Sequence, residues 1–154
     1  MKCDTRLSDV LHVLLHMAEA RGPMTSEAMA KAMSTNAVVI RRTLAGLRQA
    51  GFVRSEKGHG GGWTMARPLS GITLRDVYAA LGEPLLFAIG NRADASGCVV
   101  EQAVNAALND AFRDAEALLL ERFGKVTLAE LSADFHARIA ASGKTIDLET
   151  IHAV

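Results

Sequence analysis

A run of residues between positions 36 and 51 carries three arginines and no acidic residue, a combination suited to binding nucleic acid. Asn36 can cap a helix, because its side-chain oxygen accepts from a first-turn N–H, and Gly51 can end one. Ile40, Leu44 and Leu47 recur at helical spacing and predict a face turned towards a core. On the outer faces, arginine can read guanine edges and neutralise phosphate. The pattern predicts a recognition helix whose DNA-binding residues are Asn36, Val38, Arg41, Arg42 and Arg48.

A glycine-rich hairpin is predicted directly after this helix. Residues 52–57 and 63–67 have the character of two short strands, and four glycines among the five residues 58–62 permit a tight tip. With so little side chain, the tip can approach a DNA backbone or enter a minor groove. The residues expected to make these contacts are Lys57, His59 and Gly60.

The glycine-rich segment has two other interpretations, a plain surface hairpin and a nucleotide-binding loop. A P-loop ends in Lys followed by Ser or Thr and joins a strand to a helix, whereas residues 58–62 join two strands and lack that ending. A plain hairpin leaves the arginines of the neighbouring helix unexplained. A DNA-binding wing is therefore favoured.

Residues 47–67 (LRQAGFVRSEKGHGGGWTMAR) and 72–77 (ITLRDV) closely resemble the Rrf-two family of bacterial winged helix-turn-helix transcriptional regulators, which includes IscR, NsrR and CymR. The resemblance runs from the first predicted helix to about Leu131. It is most specific in the wing, where the family has a basic residue, Gly-x-Gly-Gly-Gly and an aromatic residue. It implies a winged helix-turn-helix fold, double-stranded DNA as the partner, and a homodimer formed through a long helix.

The surrounding chain supplies the elements that would position these residues. Apolar spacing predicts a first helix over residues 4–20 and a short helix over 26–33, with 34–36 as the turn into the recognition helix. A further helix is predicted over 72–81, opened by a weak capping box of Thr73 and Asp76. This order defines a winged helix-turn-helix domain. The expected fold is mainly α with a small β-wing.

A long helix is predicted from about residue 98 to 123, followed by a final helix to about residue 141 that opens with a capping box of Thr127 and Glu130. Apolar residues of the long helix follow alternating steps of three and four, the spacing of a helix packed along another helix. They exceed what one small domain could cover, which predicts dimerisation. The dimerisation seam comprises Val104, Leu108, Ala111, Ala115 and Leu118.

Charge is unevenly distributed along the 154 residues, although the formal net charge is zero. Residues 1–70 contain ten Lys or Arg and five Asp or Glu, a balance of +5, and residues 71–154 contain seven and twelve, a balance of −5. A basic front half suits contact with phosphate. The sequence has no run of transmembrane length and no signal peptide before the first helix, so a cytoplasmic protein is expected.

Cysteine is the residue through which such a regulator could sense a signal. Family members with an iron–sulfur cluster supply three closely spaced cysteines beside the long helix, whereas this chain has only Cys98 there. Asp94 and Glu101 are nearby, but carboxylates replace thiolates poorly on such clusters. No cofactor is therefore expected. A cluster would require Cys98 together with a His or carboxylate from the partner chain.

Cys98 has two interpretations that remain open. Helix N-termini lower a thiol pKa, and thiolates react with peroxide and electrophiles, which predicts a redox switch. Cysteine also packs as a small hydrophobe, in which case a small molecule between the domains would be the effector. His12 and His16 stand one helical turn apart, but they lack a third nearby ligand and are expected to be exposed, so no metal is predicted.

These observations divide the chain into a winged helix-turn-helix domain (1–82), a linker or sensing loop (83–97), the dimerisation and final helices (98–141) and a tail (142–154). The predicted function is a homodimeric transcriptional repressor that binds a palindromic operator and is switched by thiol modification at Cys98. The alternatives are a regulator that responds to a small molecule and a protein-interaction adaptor. The sequence contains no nucleophile elbow, P-loop or Rossmann fingerprint, so no enzyme is predicted.

Overall fold

The computed structural model describes residues 4–87 and 98–143. Cys3, most of the predicted sensing loop and most of the tail lie outside these residues. The described part confirms the mainly α fold with a small β-wing, in the predicted order. Its elements are α1 (Arg6–Glu19), α2 (Ser26–Ala32), α3 (Ala37–Gln49), β1 (Val53–Glu56), β2 (Gly62–Met65), a 3-10 turn (Leu69–Gly71), α4 (Leu74–Ala80), α5 (Val99–Gly124) and α6 (Leu128–Ser142).

The predicted caps fix the helix boundaries. The Asn36 side-chain oxygen accepts from the Val38 N–H at 2.7 Å, which starts α3 one residue later. Gly51 has a φ of +77°, so the chain can turn from α3 into β1 without a Cβ penalty. The capping boxes that open α4 and α6 are both complete, because each has the two reciprocal hydrogen bonds.

One apolar core holds the winged domain together. Ile40, Leu44 and Leu47 are at most 3% exposed, which confirms the inward face predicted for α3. The core also includes Leu128, the first residue of α6, which is fully buried. The other fully buried large side chains are Leu14, Met29, Ile72, Val13, Val53 and Val77.

The chain returns to the winged domain after α5. The N–H of Leu74 donates to the Val126 carbonyl, and the N–H of Leu128 donates to the Ile72 carbonyl, both at 2.9 Å. Farther along α6, the Ser132 hydroxyl donates to Glu19 of α1 at 3.1 Å. These bonds tie both the start and the middle of α6 to the domain that carries the recognition helix.

The prediction that His12 and His16 are both exposed is wrong for His16, which is 5% exposed. Helix α1 contacts β2, α4 and α6, so its buried face is wider than a single apolar stripe and takes in a polar residue. The Nε2 atoms of the two histidines lie 3.1 Å apart, and this hydrogen bond satisfies a ring nitrogen of the buried residue.

Candidate nucleic-acid interface

The outer face of α3 presents the side chains that the sequence assigned to DNA. Val38 is 56% exposed, and Arg41, Arg42 and Arg48 are exposed as well. Because the inner face of the same helix is buried in the core, these four side chains have a fixed direction relative to the domain. Asn36 stands at the start of this face, where its side chain caps the helix.

Arg41 has an acidic partner, although the sequence between residues 36 and 51 contains no acid. Its Nη2 atom contacts a carboxylate oxygen of Glu27, the second residue of α2. No acid lies within α3 itself, so the partner comes from a neighbouring helix that is distant in sequence. Sequence spacing could not predict the pair, because it depends on how α2 packs against α3.

The wing is a short hairpin whose tip is exposed. Strands β1 and β2 are antiparallel, with Arg54 opposite Thr64 and Glu56 opposite Gly62. Lys57, His59 and Gly60 all lie at the exposed tip. The hairpin prediction is confirmed. Of the predicted helix residues, Arg48 contacts the hairpin directly, through Ser55 and Trp63.

Gly62 explains part of the glycine-rich pattern. It has a φ of +155°, and a Cβ atom added there would lie 2.7 Å from the Met24 carbonyl oxygen. Any larger residue would therefore push the wing away from the segment that precedes α2. Glycine is therefore needed at position 62 because the wing lies close to the backbone of Met24. This requirement is separate from any approach of the wing to DNA.

Trp63 braces the wing against the helix-turn-helix, a role that the sequence did not reveal. Its indole N–H donates to the Ser26 hydroxyl at 3.1 Å, and its backbone exchanges two hydrogen bonds with Met24, at 2.8 and 3.0 Å. The Arg48 guanidinium lies 5.9 Å from the Trp63 ring centroid and donates to Ser55 at 3.4 Å. The wing, α2 and α3 are therefore linked through one side chain.

The predicted dimerisation seam on α5 is exposed in the single chain. Val104, Leu108 and Leu118 are 52%, 39% and 69% exposed, and Ala111 and Ala115 are exposed too. The C-terminal part of the helix is anchored differently, because Phe123 meets Tyr78 of α4 edge-on at 6.2 Å. One end of α5 is thus fixed to the winged domain while an apolar stripe faces outwards.

Cys98 occupies the N-cap position of α5 and is exposed. The pKa of its thiol is lowered, first by the backbone N–H of Glu101 and then by that of Val100. Both groups point towards the sulfur because they belong to the open first turn of the helix. The lowered pKa favours the reactive thiolate.

A cavity of about 210 Å³ lies between α1, the turn after α2, and α3. It is smaller than ordinary small-molecule sites, which measure about 300–1,000 Å³. It is also within the helix-turn-helix rather than between domains, where an effector was expected. The lining residues are Asp9, Val13, Met33, Ser34, Thr35, Val39, Ile40 and Thr43.

The sequence profile of the Rrf2 (Rrf-two) family, described as iron-dependent transcriptional regulators, matches residues 3–134. The match covers most of the chain and includes every helix and strand of the winged domain from α1 to α4. This protein belongs to the Rrf2 family. It is a DNA-binding transcriptional regulator and not an enzyme.

Individual relatives agree with this assignment. A stretch of 83 residues is 32% identical to YwgB of Bacillus subtilis (strain 168), a candidate HTH-type transcriptional regulator. The stretch covers 53% of this chain and 53% of YwgB, so the match spans about half the length of that relative. A candidate transcriptional regulator from Lactobacillus plantarum superposes with a TM-score of 0.72 at 24% identity, over 86% of this chain and 90% of that one. CymR (YrzC), the global cysteine regulator of B. subtilis, superposes with a TM-score of 0.65 at 20% identity. That superposition covers 86% of this chain and 97% of CymR. The two solved structures establish the shared fold.

The family description refers to iron, and donor chemistry decides whether this chain fits an iron–sulfur cluster. Clusters are held by several cysteine thiolates. The whole sequence contains two cysteines, and Cys98 is the one within the described residues. Over 4–87 and 98–143, no group of three or more His, Cys, Asp or Glu side chains could hold a metal ion. The residues of one chain therefore do not fit a cluster held by three cysteines.

Among the described helices, none combines the length and the apolar character that crossing a bilayer requires.

Proposed function

We propose that this chain is a homodimeric repressor that binds a palindromic operator through α3 and the wing of each protomer. The observation that carries the proposal is the exposed arginine-bearing face of α3, from which Arg48 contacts Ser55 and Trp63 of the wing hairpin. Major-groove width admits a helix, and the flanking wing is placed to reach the backbone or minor groove. We expect the protein to act in the cytoplasm, where bacterial DNA is located.

The exposed seam of α5 supports the dimer. Val104, Leu108 and Leu118 would lose contact with water if the α5 helices of two protomers packed together. Two-fold symmetry would then present two recognition helices to successive major grooves, about 34–36 Å apart. Repression is the simplest action of such a dimer, because occupying a promoter requires no further contact with the polymerase.

Binding measurements on variants test the DNA-binding face. Operator sequences are first selected from a pool of randomised duplexes with the wild-type chain. Replacing Arg41 or Arg42 by Ala should weaken binding to a selected duplex by about 1–3 kcal/mol where that side chain reads a base. Lys57→Ala should weaken selected and random DNA alike, because a phosphate contact carries no sequence information. Affinities are measured at two salt concentrations.

Arg138→Ala is the matched control, because it removes an exposed arginine from α6 that pairs with Asp134. This variant should bind DNA as the wild type does. The affinity of the wild-type chain for DNA should also fall steeply as the salt concentration rises. A protein-interaction adaptor would not be expected to show such salt-dependent binding to DNA. Unchanged binding by the Arg41, Arg42 and Lys57 variants would contradict the assignment of this face.

We further propose that Cys98 is a thiol switch. Its exposure and the lowered pKa of its thiol support reaction with peroxide. The thiolate attacks one peroxide oxygen, the O–O bond breaks, and hydroxide leaves as sulfenic acid forms. Added polar atoms at the start of α5 would alter how two protomers meet, because the exposed seam follows on the same helix.

A further inference from the structure

Glu27 extends the candidate interface from α3 to α2. Its carboxylate contacts Arg41 Nη2, and the Glu27 and Arg41 side chains are 63% and 54% exposed. The pKa of the Glu27 carboxyl is lowered, first by its own backbone N–H and then by the charge of Arg41. The carboxylate therefore lies in the first turn of α2 and in direct contact with the Arg41 guanidinium.

The other two arginines of α3 have different surroundings. Arg48 donates to Ser55 and lies over Trp63. Across the described residues, no carboxylate forms an ion pair with Arg42. Only one of the two arginines at the centre of the DNA-binding face is therefore restrained by an acid.

A restrained guanidinium is better suited to a base than to a phosphate. It carries donors on several edges, so one edge can contact Glu27 while another reaches O6 and N7 of guanine. An arginine that is already held loses less side-chain freedom when it binds. A carboxylate beside it also repels phosphate groups, which disfavours a contact with the DNA backbone at this position.

We propose that Glu27 determines specificity at one base pair of each half-site by holding Arg41 against a guanine in the major groove. The inference rests on the proposed function, because it requires that α3 bind DNA. Arg42, which pairs with no carboxylate of the described residues, is left to neutralise phosphate. Glu27 acts through Arg41 and is therefore a positioning residue.

Site selection from a pool of duplexes with randomised centres tests this role. The wild-type chain is compared with Glu27→Gln, Arg41→Ala and Glu56→Gln. Glu27→Gln keeps the size of the side chain but removes the charge. Glu56→Gln is the matched control, because Glu56 is an exposed carboxylate on β1 that lies 3.7 Å from Arg54 instead. Thermal unfolding of each variant separates a loss of folding from a loss of specificity.

The wild-type chain should enrich one guanine in each half-site. Glu27→Gln should lower the preference for that guanine by at least about fivefold, at the same position that Arg41→Ala affects. The rest of the motif should persist, and Glu56→Gln should leave the whole motif unchanged. Binding of Glu27→Gln to random DNA should be equal or tighter, because a negative charge has been removed.

Two results would overturn the inference while leaving DNA binding intact. One is a Glu27→Gln motif identical to that of the wild type, which would make the pair an ordinary surface ion pair. The other is a change at a base that Arg41→Ala does not affect. A wild-type chain that enriches no motif would instead contradict the proposed function itself, along with the inference that depends on it.

Discussion

The winged domain and helix α5 use the same kinds of apolar residue with opposite results. In the winged domain, Leu14, Leu44 and Ile72 are completely buried. On α5, Val104 and Leu118 are more than half exposed, although they follow an equally regular helical spacing. These core side chains of the winged domain are covered within one chain, whereas the apolar stripe of α5 remains exposed.

This difference separates two sources of stability. Burying a leucine side chain stabilises a structure by about 1.5–3 kcal/mol relative to leaving it in water. That contribution is already present in the winged domain of a single chain. For the seam of α5, it becomes available only when another surface covers the helix, so it would depend on protein concentration.

The largest effect should come from truncating the core of the winged domain. Leu44→Ala leaves a cavity beside α3 and should lower the free energy of unfolding by about 2–5 kcal/mol. The same truncation at Leu118 should change the unfolding of the winged domain by no more than about 0.5 kcal/mol. Denaturant titration followed by the fluorescence of Trp63, the single tryptophan, measures this domain. Equal losses for the two variants would remove the distinction between the regions.

A charge placed in the seam should have the next largest effect, on assembly rather than on folding. Leu108→Glu would bury an unpaired carboxylate between two α5 helices and should weaken the dimer by about 2–3 kcal/mol or more. Sedimentation at micromolar concentration should show monomers, and operator affinity should fall. Ala106→Glu is the control, since residue 106 lies about 200° around the helix from residue 108. A dimer that survives Leu108→Glu would place the interface elsewhere.

The smallest of these effects concerns Cys98, at the start of α5. A shift of about 1.4 kcal/mol between DNA-competent and incompetent dimers changes affinity tenfold. The operator affinity of the wild-type protein should therefore fall about tenfold after peroxide treatment. Cys98→Ser should bind the operator with the same affinity before and after this treatment. Cys3→Ser should respond like the wild type. Mass spectrometry locates the adduct. Wild-type binding that thiol oxidants do not change would contradict the assignment of Cys98 as a switch.

Local signals allowed the helix boundaries to be predicted from the sequence. Asn36, Gly51 and the capping box at Thr127 act on neighbouring backbone groups, so a few consecutive residues contain the necessary information. The inward face of α3 was predictable for the same reason, because a period of 3.6 residues is visible in one segment.

Contacts between distant segments could not be predicted in this way. The hydrogen bond from Trp63 to Ser26 spans 37 residues, and the pair of Glu27 with Arg41 joins two helices. The burial of His16 likewise depends on how many elements surround α1. Each of these features depends on how distant elements pack together, and a short sequence pattern contains no information about that packing. The Trp63–Ser26 and Glu27–Arg41 contacts both belong to the candidate DNA-binding surface.

Because α6 packs back on the winged domain, α5 is fixed to that domain at its C-terminal end and extends away from this attachment. Leu74 and Leu128 make backbone hydrogen bonds that clamp the C-terminal end of α5 to the domain bearing the recognition helix. A helix of 26 residues is about 39 Å long. Rotating it by about 5° at the clamped end moves the far end by on the order of 3 Å, and the converse also holds. In the proposed dimer, a small change in the angle between the two α5 helices would move both DNA-binding domains and alter the distance between their recognition helices.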